Sequence, residues 1–138
     1  MKKLLLFLGA MLSVSIFAAE TPVNALELQN KEILKMAVSE ISKNLPQKID
    51  QYTTLVDVKA DDLTLSYIHE VNTGAKSDEA VRNEDHARMR SAITKGTCSS
   101  SKRFLESGIS LSYVYNSEKS KEKLFQIDVS QKDCPLFK

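Results

Sequence analysis

From Asn30 to Asn44 apolar residues return every third or fourth position, and Ile33, Leu34, Ala37, Val38, Ile41 and Leu45 form one stripe. That period predicts an amphipathic helix, with Asn30 able to cap its first turn and Pro46 unable to continue it. Tyr52 to Ala60 alternates instead, setting Thr54, Val56 and Val58 on one side and Thr53, Leu55, Asp57 and Lys59 on the other. The period of two predicts a strand with one buried face. Asp61-Asp62 is a tight polar break. The next run places Leu63, Leu65, Tyr67, His69 and Val71 on a common face, so the two strands are expected to form a hairpin.

Asn72 to Ser77 is a polar loop, and Ser77 followed by Asp78 and Glu79 is a helix start, because acids complement the positive end of the helix. This second helix is expected over residues 78–95, with a thin stripe of Val81, Met89, Ala92 and Ile93 and with Gly96 as its stop. Residues 99–107 predict a short helical turn that carries Phe104 and Leu105 inward and is stopped by Gly108. Ile109, Leu111, Tyr113 and Tyr115 mark a third strand; Phe125, Ile127 and Val129 mark a fourth. The order α-β-β-α-β-β predicts an α+β domain: a four-stranded, mostly antiparallel sheet with two or three helices on one face. Residues 63–69 and 109–115 match closely at an offset of 46, which reads as convergence of two alternating strands rather than duplication.

The first 25 residues change the setting of this domain. Lys2 and Lys3 precede an apolar run of 14 residues, Leu4 to Phe17, which is short of the roughly 20 that span a bilayer but within the range of an export signal. Val23-Asn24-Ala25 offers the small residues a signal peptidase needs, and cleavage after Ala18 is the earlier option. Residues 1–25 are therefore expected to be a cleavable leader and residues 26–138 a single domain, periplasmic or secreted, with no stable membrane insertion. Loss of Lys2, Lys3 and Glu20 takes 19 basic and 18 acidic side chains to 17 of each, so no net charge draws the mature chain to nucleic acid. Cys98 and Cys134 are the only cysteines. In an oxidising compartment they are expected to pair, contributing about 3 to 4 kcal/mol by the chain-entropy model. Their separation lacks the C-x-x-C spacing of reactive thiols or metal sites.

Leu45-Pro46, Asp50, Thr53 to Leu55, the Leu65 to Tyr67 strand, the helix reaching Cys98, Gly108, Tyr113, Tyr115 and Asp133-Cys134 together carry a resemblance. Over residues 33–134 the chain resembles a family of small, signal-bearing or membrane-tethered bacterial envelope domains without an established activity. The resemblance implies the fold and the cysteine bond and transfers no function.

Candidate chemistry is sparse. His69 and His86 are the only histidines, and neither has the partner spacing of a metal site. His69 is expected at the rim of the inward face near Tyr115, and His86 in a surface charge network beside Arg82 and Arg90. The serines after Cys98 lack a nucleophile-elbow context. No catalytic residue, metal or cofactor is expected. The stretch from His86 to Arg103 holds Arg88, Arg90, Lys95, Lys102 and Arg103 without an acid, a patch suited to an acidic protein, lipid headgroups or glycan phosphates. The expected function is that of an exported, non-catalytic protein that binds another macromolecule, an envelope or extracellular protein, as an accessory, inhibitor or immunity-type factor. The alternative is a small periplasmic hydrolase or metal-dependent enzyme using His69.

Overall fold

The computed structural model of the chain describes residues 22–135, with side chains from residue 25. Of the expected leader only residues 22–25 are among these, and they form the first turn of helix α1, Pro22–Ser42. Proline is at home in that turn, because its missing N–H has no partner there in any helix. The helix thus starts well before Asn30. Rather than capping, Asn30 is buried in mid-helix, and its Nδ2 donates to the Ser107 carbonyl at 2.9 Å.

Strand β1 is only Gln47–Lys48, β2 is Thr53–Asp61 and β3 is Thr64–Val71. The β2–β3 hairpin closes through Asp62, which sits at φ +50°, a region that Asp tolerates better than most residues. Helices α2 (Asp78–Arg82), α3 (Ala87–Ser100) and α4 (Lys102–Glu106) follow, then β4 (Ser110–Ser117), β5 (Lys123–Val129) and a 3₁₀ turn at Gln131–Asp133. The five strands lie in sequence order in one sheet.

Two parts of the expected sheet are corrected. A fifth strand, β1, pairs with β2 at Gln47–Leu55 and Lys48–Thr54, too short to leave a periodic signature. The sheet is also mixed: β3 and β4 run parallel, while every other neighbour pair is antiparallel. The reason is the crossover. Residues 72–109 carry three helices over one face and return the chain to the end of the sheet where β3 began, and only such a crossover joins parallel neighbours. In the parallel register Leu65 lies beside Leu111, Tyr67 beside Tyr113 and His69 beside Tyr115. The 46-residue offset seen in the sequence is this register. Neighbouring positions on two parallel strands meet the same layers of the core and so favour the same side chains.

Two further expectations fail locally. The strict alternation of β2 is broken by a bulge between Leu55 and Asp57, so Leu55 and Val58, three apart, both point inward and Val56 does not share their face. The single helix expected over 78–95 is two helices. Asn83 ends α2, and the Asp85 carboxylate accepts the Ala87 N–H at 2.9 Å to start α3. Gly96 does not stop α3, which runs on to Ser100. The Ser77 start is as read: its hydroxyl accepts the Ala80 N–H at 3.1 Å.

The core lies between the inner face of the sheet and the helices. Leu34 of α1, Leu105 of α4, and Leu65, Leu111, Ile127 and Val129 of the strands are almost wholly buried there. Ala37, Val38 and Ile41 pack against them, extending the expected stripe of α1. Among the described residues, no helix is long and apolar enough to cross a membrane.

Candidate functional site

Helix α3 is held on the sheet by three different devices. Thr97, buried on its inner side, shares a 2.7 Å hydrogen bond with the Tyr113 hydroxyl of β4. Cys98 is bonded to Cys134, just beyond the 3₁₀ turn. At its start His86 stacks on Phe125 of β5 at 4.0 Å between centroids, and its Nε2–H donates to the Val81 carbonyl at 3.0 Å. Of the two arginines expected beside His86, Arg90 keeps its i, i+4 relation, its backbone N–H donating to the His86 carbonyl at 2.8 Å, whereas the helix break after Asn83 takes Arg82 out of register. Arg82 turns instead to Glu122 at 3.2 Å and to the Lys123 carbonyl.

Phe125 is one member of a plate of stacked rings on the inner sheet face. Phe125 stacks on Tyr115, Tyr115 on His69, and both at 4.6 Å; Tyr113 and Tyr67 continue the row at 5.5 Å. Each such contact contributes about 0.5–1.5 kcal/mol beyond area burial. The row is therefore a stiff support for the start of α3.

His69 lies inside this plate, 7% exposed, with Nδ1–H donating to the Val114 carbonyl at 3.2 Å. Burial pushes its pKa below the ordinary histidine value, against the smaller pull of the carbonyls of Val114 and Tyr67. Burial likewise pushes the Tyr115 hydroxyl up to about 12, with the neighbouring Tyr113 and Asp50 adding to the shift. His69 lines neither of the two main recesses of the described residues. In this position His69 packs as part of the stacked plate on the inner sheet face. No group of three metal-ligating side chains occurs among the described residues.

The larger recess is an open trough along α3, with a volume of about 1100 Å³. One wall is the side of α3 that carries Ala87, Ser91, Thr94 and Cys98; the other is Asp133, Cys134 and Pro135, with the disulfide joining them. Of the five basic residues expected as a patch, Arg90, Lys95 and Lys102 line the trough, whereas Arg88 and Arg103 are exposed away from it. The stripe Ala87, Ser91, Thr94, Cys98 follows helical spacing but was missed, because the expected helix rests on its apolar positions and ends at Gly96; the opposite wall comes from the far end of the chain.

The charges of the trough are unevenly spent. Glu84 is engaged by Lys76, which holds its carboxyl below the usual range. Asp85 accepts the Ala87 N–H, Asp133 accepts the Ser130 N–H at 2.8 Å, and Lys102 pairs with Glu106 at 3.7 Å. Among the described residues Arg90 and Lys95 form no ion pair. Arg90 instead acts at longer range on Asp128. Burial alone would raise that carboxyl, yet hydrogen bonds from Gln126 and Ser112, with Lys123 and Arg90 nearby, keep it below its ordinary value.

The fold has known counterparts. A Pseudomonas aeruginosa protein inferred to be secreted shares it with a TM-score of 0.69 and 17% identity, covering 84% of this chain and 99% of the other. The type 2 secretion system pilotin EpsS of Vibrio vulnificus gives 0.65 and 12%, covering 80% and 96%. The type II secretion system pilotin AspS of Vibrio cholerae gives 0.63 and 16%, covering 83% and 100%. No curated protein matches the chain significantly in sequence. Residues 28–125 match a family model, and on that match the chain belongs to DUF8479, a domain of unknown function.

Proposed function

We propose that the chain is an exported, non-catalytic docking module of the bacterial cell envelope, freed of its leader after Ala25 or Ala18 and acting by binding another protein. The trough carries this reading: it is an open, partly apolar surface bearing two cations, Arg90 and Lys95, that have no ion-pair partner among the described residues. The Cys98–Cys134 bond supports an oxidising compartment, since such bonds persist there and are rare in the cytosol. The fold shared with type II secretion pilotins and a protein inferred to be secreted supports an accessory role outside the cytoplasm.

The test is capture with the tagged full chain, made in the bacterium that encodes it and recovered from its envelope and culture fractions. The expected result is a co-purifying protein whose retention falls as salt is raised from 50 to 300 mM, and falls again in the double variant Arg90→Glu, Lys95→Glu. Recovery of the chain alone at every salt concentration overturns the reading.

A further inference from the structure

The shape and charge of the trough select among partners, an inference that rests on the docking reading just given. Its volume of about 1100 Å³ stands at the upper end of the roughly 300–1,000 Å³ of small-molecule sites, and it is open along its length rather than closed over a ligand. Helix α3 has 14 residues and so rises about 21 Å, the reach of several turns of a partner segment. Its floor is apolar: Ala87, the disulfide and Pro135, extended by the aliphatic stems of Arg90 and Lys95. Three carboxylates, Glu84, Asp85 and Asp133, also line it. A phosphate-dense glycan or a headgroup layer presents continuous negative charge and would meet these acids as well as the cations. A polypeptide can space its charges and place apolar side chains between them.

We propose that the trough seats an acidic, amphipathic segment of another polypeptide, with its apolar side on Ala87, Cys98–Cys134 and Pro135 and its carboxylates facing Arg90 and Lys95. The basic pair sets orientation and encounter rate, and the apolar floor holds the segment once it is seated.

The experiment places a photo-crosslinking amino acid at Thr94, on the wall of the trough, or at Met36, 61% exposed on α1. The full chain is used, in the encoding bacterium, and the crosslinked peptide is sequenced by mass spectrometry. The expected result is a polypeptide adduct at position 94 and none at 36, on a segment with excess Asp and Glu and with apolar residues at helical or alternating spacing. Arg90→Glu with Lys95→Glu lowers the yield about tenfold, because each exposed attraction becomes a repulsion. Adducts at 36 but not at 94 overturn the trough while leaving the docking reading intact. A neutral or basic segment, a lipid or a glycan at 94 overturns the proposed partner. Polypeptide adducts at neither position overturn the docking reading itself. Both variant side chains are exposed, so an unchanged melting temperature confirms that the double variant is folded.

Discussion

Reducing the Cys98–Cys134 bond should remove a large share of the domain's stability, and the structure says how much. The bond closes a loop of 36 residues that runs through α4, β4 and β5. The chain-entropy relation gives about 4 kcal/mol at 25 °C for a loop of that length, against a typical total of about 5–15 kcal/mol for a whole domain. Comparing oxidised and reduced protein of unchanged sequence isolates the cross-link, because both sulfurs remain in place and no cavity is made around the buried Cys134. The assay is urea unfolding followed by far-UV circular dichroism, with and without an excess of a dithiol. The oxidised form should be more stable by about 4 kcal/mol, which for a domain near 100 residues corresponds to about 19 °C in Tm. In hydrogen exchange the loss should concentrate at the amides of Gln131 to Cys134, the turn that carries one wall of the trough. A difference below about 1 kcal/mol would refute the reasoning, since it would mean that the bond restricts no chain freedom that the core had not already removed.

Three further outcomes follow from individual side chains. His69 is buried with a lowered pKa, so the unfolded chain takes up its proton first; stability should fall as pH drops below about 6.5, by at most about 1.4 kcal/mol per pH unit. His69→Phe should flatten that dependence between pH 6.5 and 5, and an unchanged slope in urea midpoints would show that the burial of His69 is not its cause. Asn30→Ala leaves the Ser107 carbonyl without its donor and should cost about 1–3 kcal/mol in chemical unfolding, where a cost near zero would mean that the α1–α4 hydrogen bond is not maintained in solution. Leu34→Ala, at a wholly buried position, should cost about 2–5 kcal/mol, and a smaller loss would place α1 off the core.

What the sequence disclosed and what it hid divide along physical lines. Features set by near neighbours were legible: the stripe from Leu34 to Ile41, the inward face of β3, the Ser77 start and the β2–β3 hairpin turn. Features set by pairing across the fold were not. A bulge adds one residue without altering local composition, so the alternation around Val56 pointed the wrong way. Asn83 and Asp85 look like ordinary surface residues of a helix until the stacking of His86 on Phe125 requires the chain to turn there. The parallel β3–β4 pair was written in the sequence as the 46-residue match, but alternating strands resemble one another often enough that the match alone does not single out adjacency. The trough depends on Asp133 to Pro135 meeting α3, and nothing in either segment names the other except the two cysteines.

The measurement that tests the central claim most directly is native mass spectrometry of the protein taken gently from the bacterium that encodes it. The account predicts a chain beginning at residue 26 or 19, two hydrogens lighter than its reduced mass, and bound to a second polypeptide. A full-length chain with both thiols intact, recovered alone, would contradict it.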